Sequence, residues 1–287
     1  MCAVFALSGA ASAGGATFPA KTTSLGPIPD ATSPVCGSFG ASRAVTFAAT
    51  GLKNQITNVE VGFMLNPQHS WGADLDVVLI APGGAAHTVF SRTGATVATG
   101  CGDSSDVHGP YLFSDLASAP PSGGWWEAAT AAGAAAAIPA GIYRTTAPGG
   151  AGAVNPSPAT LMTPAFGATN PNGVWTLRFR DGGQGDAATV SAASLTVSAI
   201  DTRPPQTWFL RKPAQRTTSR RVTFKFRSNE AGAIFQCKLG GNAYKRCISP
   251  RTFTVSLGSH TLRVRAIDQA GNKDATPATY AWRVVRG

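Results

Sequence analysis

The chain has 287 residues, enough for about two domains of ordinary size, so a sizeable core can form without a metal or a disulfide framework. Charged residues make up 13% of the chain and hydrophobic residues 43%, and 33 Gly and 20 Pro interrupt it. This composition excludes a disordered chain, a coiled coil and a helical bundle. No apolar run approaches the roughly 18 residues of a membrane-spanning helix, so we expect no transmembrane segment.

The charge is divided unequally along the chain. Residues 1–200 carry 7 basic and 10 acidic residues, whereas residues 201–287 carry 17 basic and 4 acidic residues, for a total of +10. The asymmetry predicts two domains with separate surfaces, residues 14–200 and residues 201–287, joined at a Pro-rich linker. Only the second is an electrostatic candidate for binding polyanions.

The first residues predict a secretion signal. A short apolar segment ends in Ala11-Ser12-Ala13, the small-x-small pattern that signal peptidase accepts, although no basic residue precedes it. We expect residues 1–13 to be a signal-peptide-like segment cleaved after Ala13. Cleavage also removes Cys2, and we expect the mature protein to be secreted.

Four cysteines remain after that cleavage, two in each domain. The even number predicts the disulfides Cys36–Cys101 and Cys237–Cys247 and an oxidising, extracellular home. Free buried cysteines are the alternative.

Short strands dominate the pattern of the first domain. Residues 57–63 alternate polar and apolar side chains, residues 75–80 are β-branched and end at a Pro-Gly-Gly turn, and residues 174–179 and 194–200 alternate again. The segment 117–171 is rich in Ala, Gly, Pro and Ser and predicts long surface connections. Its Trp125-Trp126 pair is either a sugar-stacking platform or, as is commoner, a plug that holds a loop on the core.

The second domain alternates more strictly. Residues 221–227 and 261–266 place apolar side chains on one face and basic side chains on the other, and residues 234–239, 252–255 and 279–284 complete about seven strands. This number of strands in 87 residues is typical of an immunoglobulin-like sandwich.

The first domain resembles the P domain, also called the Homo B domain, of proprotein convertases and bacterial secreted proteases. The resemblance rests on the order of several motifs: His69-Ser-Trp-Gly-Ala-Asp74-Leu-Asp76, Tyr111-Leu-Phe-Ser-Asp115, Ile138-Pro-Ala-Gly-Ile-Tyr143 and Gly173-Val-Trp175-Thr-Leu-Arg-Phe-Arg-Asp181 with Asp186. It implies a β jelly roll that stabilises a subtilisin-like protease and carries no catalytic residue. The chain departs from the family after Asp186, where Ala187 stands in place of a frequent Gly.

The second domain is similar to the bacterial immunoglobulin-like repeats of secreted multidomain proteins. Five segments carry this resemblance: Asp201-Thr-Arg-Pro-Pro205, Phe235-Gln-Cys237-Lys-Leu, Cys247-Ile-Ser-Pro250, Gly258-Ser-His260-Thr-Leu-Arg-Val-Arg-Ala-Ile-Asp268 and Ala270-Gly-Asn-Lys273. Such repeats are spacers, stalks or adhesive modules, so the resemblance predicts a fold rather than a function. The fold class that we predict is all-β, a P-domain-like jelly roll followed by an immunoglobulin-like β-sandwich.

Nucleophilic catalysis needs a serine or cysteine beside a base and an orienting acid. The sequence has four histidines and no G-x-S-x-G, H-E-x-x-H or P-loop motif. It also lacks a subtilisin-like catalytic domain. We therefore expect a non-catalytic protein in which His69 is a structural hydrogen-bonding residue.

Calcium is the candidate cofactor, because hard cations take carboxylate oxygens and fasten loops. Asp74 and Asp76 lie two residues apart and should share a face of a strand, and three further aspartates lie at strand ends: Asp115, Asp181 and Asp186. The alternative is that these carboxylates cap turns and accept backbone hydrogen bonds.

Five basic residues of the second domain should face solvent and bind anionic polymers, such as teichoic acid or acidic polysaccharide: Arg221, Lys225, Arg227, Arg263 and Arg265. The aromatic residues there alternate into the core, so we expect no specific nucleic-acid partner. A solvated charged surface that prevents edge-to-edge aggregation is the alternative.

These patterns together predict a secreted, non-catalytic binding or scaffold protein that attaches to anionic cell-envelope polymers. The alternative is an accessory that docks on a subtilisin-like serine endopeptidase and so serves proteolysis. The two hypotheses differ in the expected effect of salt. Screening by salt should weaken attachment to a polymer through exposed charges, whereas docking on a protease should tolerate salt.

Overall fold

β-Strands form nearly all the regular structure, and the all-β prediction is confirmed. The computed structural model describes residues 15–118, 124, 126–127 and 136–287. The predicted signal-peptide-like segment 1–13, Cys2 and Trp125 lie outside the described residues. The chain separates into two units, one ending at Ile200 and the other comprising Asp201–Gly287. In the described parts of both units, no helix is long and apolar enough to cross a membrane.

The described elements of the first unit are twelve strands and one short helix. In chain order they are β1 (Ala16–Pro19), β2 (Gly26–Pro27), β3 (Ser42–Ala49), β4 (Gln55–Leu65), β5 (Leu75–Ile80), β6 (Ala86–Ser91), β7 (Tyr111–Ser114), β8 (Gly141–Tyr143), β9 (Thr145–Thr146), β10 (Ala159–Thr160), α1 (Thr163–Phe166), β11 (Gly173–Asp181) and β12 (Thr189–Ile200). Two single 3-10 turns accompany them, Thr22–Ser24 and Gly72–Asp74.

Two sheets of this unit face each other across one core. One has the order β1-β12-β4-β7-β8, with β2 also pairing with β12, and the other has the order β3-β11-β5-β6. Eight principal strands build these two sheets: β1, β3, β4, β5, β6, β7, β11 and β12. When these eight strands are renumbered 1 to 8 in chain order, one sheet has the order 1-8-3-6 and the other has the order 2-7-4-5. This is the strand order of a β jelly roll.

Aromatic rings fill the space between these sheets. Trp126 is fully buried, stacks on Phe90 with ring centroids 4.4 Å apart and donates an Nε1 hydrogen bond to Thr93 Oγ1 over 3.0 Å. Tyr143 and Phe166, from the same loop-rich stretch, are also buried. The plug interpretation of Trp126 is therefore confirmed, and the aromatic residues hold the long connections on the core.

The second unit contains eight strands, and all of its residues are described. They are β13 (Thr207–Arg211), β14 (Arg216–Thr217), β15 (Arg221–Ser228), β16 (Ile234–Leu239), β17 (Lys245–Cys247), β18 (Arg251–Thr254), β19 (Gly258–Ile267) and β20 (Ala278–Val284). They form a three-stranded sheet β13-β15-β18 and a five-stranded sheet β14-β20-β19-β16-β17.

The connectivity is that of an immunoglobulin-like sandwich. In the nomenclature of immunoglobulin domains, the strands β13 to β20 correspond in order to A, A′, B, C, C′, E, F and G. The three-stranded sheet is then ABE and the five-stranded sheet is A′GFCC′. The predicted alternation holds, because Phe224 of β15 and Val264 of β19 are fully buried between the sheets while Arg221 and Arg263 are exposed.

Both predicted disulfides are present. Cys36–Cys101 joins the loop before β3 to the loop before β7, and Cys237–Cys247 joins the neighbouring strands β16 and β17. Each bridge lies within one unit, and their presence indicates an oxidising environment.

Candidate functional site

A buried His–Asp pair lies where the motifs of the first unit meet. His69 and Asp181 are both fully buried, and His69 Nε2 lies 3.2 Å from Asp181 Oδ2. The backbone N–H of Trp71 donates to His69 Nδ1 over 3.2 Å, so the proton of the neutral ring lies on Nε2 and is donated to Asp181. Both ring nitrogens are thus used in structural hydrogen bonds, as predicted for His69.

This pair does not form a nucleophile–base–acid arrangement with the neighbouring serine. Ser70 Oγ donates its hydrogen bond to Asp186 Oδ1 rather than to the imidazole of His69. A catalytic serine needs a base that accepts its proton, and neither nitrogen of His69 is available for that.

Asp74 lies beside this pair and is the most perturbed acid of the cluster. Its side chain is buried, Oδ1 has no hydrogen-bond partner among the described residues, and a Cβ at Gly183 would overlap Oδ2. Burial and the negative charge of Asp181 raise the pKa of Asp74 to about 6. The carboxyl therefore takes up a proton more readily than an exposed aspartate does.

The structure brings three of the five predicted calcium ligands together and separates the other two. The electrostatic neighbours of Asp74 include Asp181 and Asp186. Among the described residues, however, no group of three or more His, Cys, Asp or Glu side chains is arranged to hold a metal ion. Calcium binding stays a prediction, and its candidate ligands are reduced to Asp74, Asp181 and Asp186.

Asp76 does not share a face with Asp74, contrary to the expected strand spacing. Asp74 belongs to the 3-10 turn Gly72–Asp74, and only Asp76 lies on β5. Asp76 lies opposite Arg180 of β11 and pairs with Arg180 Nη2 at 2.8 Å and Arg178 Nη2 at 3.3 Å. Its carboxylate is neutralised by arginine and is unsuited to a cation site.

Asp115 fastens a loop by accepting hydrogen bonds from the backbone. Its two carboxylate oxygens accept the backbone N–H groups of Met162 and Thr163 over 2.7 and 2.8 Å, at the start of α1. This is the turn-capping role that the sequence left open as the alternative to calcium.

The five predicted polyanion-binding residues lie on two different surfaces. Arg221, Lys225 and Arg227 belong to β15 of the three-stranded sheet, whereas Arg263 and Arg265 belong to β19 of the five-stranded sheet. The core lies between the sheets, so these residues cannot contact the same segment of a ligand. We call the outer surface of β13 and β15 the three-strand face; it carries Arg211, Arg221, Lys225 and Arg227.

The outer surface of the other sheet is more strongly basic. We call it the five-strand face, and its six basic residues are Arg216, Lys238, Arg246, Arg263, Arg265 and Arg283. Lys238 lies directly opposite Arg263, and Arg216 directly opposite Arg283. Like charges in directly opposite positions repel each other, so this surface is electrostatically strained in the absence of anions.

An aromatic ring lies on the five-strand face. The guanidinium of Arg265 stacks over Tyr244 at 4.0 Å and donates two hydrogen bonds to Gln236 Oε1 over 2.9 and 2.8 Å. Trp208 underlies Arg227 on the three-strand face in the same way, at 4.6 Å. The expectation that the aromatic residues of this domain turn into the core is therefore wrong for Tyr244 and Trp208.

Sequence reasoning missed Tyr244 and four cations of the five-strand face: Arg216, Lys238, Arg246 and Arg283. The alternation of residues 234–239 contained the signal for Lys238, because Cys237 and Leu239 turn inward and leave it facing outward. Arg246 and Tyr244 lie in or beside β17, a strand of only three residues that is too short to show a period.

Comparisons with known proteins identify no family. No family model matches the chain, and no curated protein matches it. Solved structures match weakly: the β-1,2-glucanase from Parabacteroides distasonis (12% identity, 96% of this chain, 37% of that chain, TM-score 0.22), the glycoside hydrolase domain of Endo-D from Streptococcus pneumoniae (11%, 94%, 37%, 0.23) and the adhesin domain of Epf from Streptococcus pyogenes (9%, 86%, 77%, 0.21). The chain spans just over a third of the two hydrolase chains. Likenesses this low carry no inference about function, and the resemblance to P domains stays a prediction.

Proposed function

We propose that this protein is a secreted, non-catalytic binding protein that attaches to anionic cell-envelope polymers through its immunoglobulin-like unit. The observation that carries the proposal is the five-strand face, which carries six basic side chains and one aromatic ring, Tyr244, in contact with Arg265 and Lys238. The first unit is then a jelly-roll scaffold held together by its own disulfide, the buried His69–Asp181 hydrogen bond and the partly buried ion pair of Asp76 with Arg180.

The arrangement of charge on the five-strand face supports a polymer ligand. Lys238 opposite Arg263 and Arg216 opposite Arg283 place repelling cations at repeated positions across the sheet. A chain with regularly spaced phosphates or carboxylates relieves that repulsion at several points at once. Stacking on Tyr244 and two hydrogen bonds to Gln236 Oε1 fix the orientation of the Arg265 guanidinium on this surface.

The five-strand face is favoured over the three-strand face by the number of its cations, six against four. Both faces carry one arginine stacked on an aromatic ring, so that feature does not separate them. The net charge of the unit does not indicate which face binds the polymer either, because long-range electrostatic attraction acts on the unit as a whole.

The test measures binding of the full chain to immobilised teichoic acid and hyaluronate, with a neutral polysaccharide as reference, at about 50 and 300 mM salt. We expect affinity to fall at least about tenfold between these salt concentrations, because exposed charges are screened. The triple variant K238Q/R263Q/R265Q should lose about tenfold at the lower salt. The matched control R211Q/R221Q/K225Q removes the same charge from the three-strand face and should lose less than about threefold.

Equal losses in the two triple variants would show that net charge, and not a face, attracts the polymer. A protease that binds the first unit and stays bound at high salt would instead support the alternative predicted above, an accessory of a subtilisin-like protease. A pull-down with an active-site serine reagent, washed at both salt concentrations, distinguishes that outcome directly.

A further inference from the structure

A cavity of about 480 Å³ opens between the edge strands β17 and β18 of the second unit. Its lining combines a disulfide, two apolar side chains and three cations: Cys237, Cys247, Leu239, Phe253, Lys245, Arg246 and Arg251, together with Asn242 and Ala243. The volume lies within the usual range for pockets that hold a small molecule.

Two of the cations occupy positions that normally hold core residues. Lys245 lies opposite Cys237 in the ladder and shares a side of β17 with Cys247. Arg251 shares a side of β18 with Phe253 in the same way, since side chains two residues apart point to one face. The alternation therefore directs Lys245 and Arg251 from the two sheets toward the same opening.

These cations have no counter-charge from the protein. Throughout the second unit, where every residue is described, the side chains of Lys245, Arg246 and Arg251 form no ion pair and no hydrogen bond. The one contact of a charged group here is that of Arg251 with the ring of Phe253, at 5.7 Å. Three unpaired cations around one opening favour an anion in the middle.

The wall beneath the cations is apolar and the rim is polar. Phe253 and Leu239 are partly buried and pack against the disulfide of Cys237. Asn242 adds an amide donor and acceptor beside them. A sugar ring suits this lining, because one side of the ring presents C–H groups and its edge presents hydroxyls.

We propose that this pocket binds a single sugar residue that carries a phosphate or carboxylate, with the anion held by Lys245, Arg246 and Arg251 and the ring against Phe253. The pocket is separate from the five-strand face except for Arg246, which lies at its rim. The inference rests on the proposed function only for the choice of anionic glycans as the ligand class. The pocket itself accommodates one sugar unit and does not require a polymer.

Inward-pointing charge on an edge strand also prevents sheets from pairing edge to edge. That role needs no ligand, and it predicts that removing Lys245 and Arg251 causes self-association without changing the affinity for any small molecule. The pocket and the edge-protection explanations therefore differ in measurable ways.

The experiment titrates the ¹⁵N-labelled full chain with glucose 6-phosphate, glucuronate, glucose and inorganic phosphate at about 150 mM salt, and follows the amide shifts of β17 and β18. We expect saturable shifts with glucose 6-phosphate, glucuronate or both, and at least about tenfold weaker binding of glucose and of inorganic phosphate. Comparison of the phosphate and carboxylate sugars identifies the anion.

Variants separate the pocket from the five-strand face. Arg251→Gln and Lys245→Gln should each weaken binding about tenfold, whereas the control Arg263→Gln, outside the pocket, should leave it unchanged. The melting temperature of each variant verifies folding, and light scattering measures self-association. Three results would each overturn the proposal: inorganic phosphate that binds as tightly as the sugar phosphate, shifts that occur only outside the residues lining the pocket, or self-association of the Lys245 and Arg251 variants with unchanged affinity. If the small sugars do not bind but the polymer does, the pocket proposal is rejected and the proposed function stands. If the small sugars bind in the pocket but the polymer does not bind, polymer attachment is rejected and the pocket proposal stands.

Discussion

The two units are both two-sheet sandwiches, yet they place their charged residues in opposite ways. In the first unit Asp76 pairs with two arginines, Asp181 accepts from His69 and Asp115 holds the start of α1. In the second unit cations such as Lys238 and Arg263 stand opposite one another on an exposed surface. The first unit therefore uses charge to hold itself together, whereas the second leaves like charges facing one another on its surface.

The largest expected effect tests whether the first unit depends on its aromatic plug. Trp126→Ala removes a fully buried ring and should lower the free energy of unfolding of the first unit by about 3–5 kcal/mol. Trp208→Ala is the matched control, because that ring is only partly buried and supports one arginine. Calorimetry should show a large shift of the first transition only for Trp126→Ala; equal shifts would contradict this account of the core.

The pH dependence of stability should also distinguish the units. Burial raises the pKa of Asp74 to about 6 and that of Glu127 to about 7. Both carboxyls keep their protons in the folded state at a pH where the unfolded chain has lost them, so this stabilisation is complete below about pH 4 and is lost as pH rises through 6–7. Each group contributes on the order of 2–3 kcal/mol.

The melting temperature of the first unit, measured with chelator present, should therefore fall between pH 5 and 8. Asp74→Asn should remove part of that slope. A melting temperature that is flat or rising over this range in the unaltered protein would contradict the assignment of raised pKa values to these two carboxyls.

Calcium provides the next test, because a cation at Asp74, Asp181 and Asp186 would act on the first unit alone. At about a hundredfold excess over the dissociation constant, one bound ion adds about 2.7 kcal/mol. The shift in melting temperature should be larger at pH 8 than at pH 5, since protons compete for Asp74. Asp186→Asn should abolish it and the matched Asp115→Asn should retain it; a melting curve unmoved by chelator and calcium would reject the site.

A smaller effect is expected at the ion pair on β5 and β11. Asp76→Asn leaves Arg178 and Arg180 without their carboxylate and should cost about 1–3 kcal/mol. Urea unfolding of the first unit measures it. A change below about 0.5 kcal/mol would show that the pair is no stronger than an ordinary surface ion pair.

The smallest predicted effect has the opposite sign. Lys238→Gln removes one of two cations that face each other across β16 and β19, so it should stabilise the second unit by about 0.2–1 kcal/mol at low salt. The gain should disappear at high salt, where the repulsion is screened. Destabilisation at low salt would mean that Lys238 supports the sheet and is not there for a partner.

Alternation and composition predicted nine of the described strands. Residues 75–80 and 234–239 are strands with the predicted bounds, and the paired cysteines form the predicted bridges. The strands β3 and β6 were not identified, although they have eight and six residues. The strands β14 and β17 were also missed, because strands of two and three residues show no period. Their positions depend on the neighbouring strands rather than on their own side chains.

The all-β class, the disulfide pairs and the uneven distribution of charge follow from the residues alone, because alternation, cysteine count and net charge are properties of local order and composition. Which charged residues meet depends on the tertiary structure. It placed Asp74 beside Asp181 but directed Asp76 to Arg180, and it divided the predicted basic residues between two faces. Those outcomes depend on strand pairing between residues up to about a hundred positions apart in the chain, which no local pattern encodes.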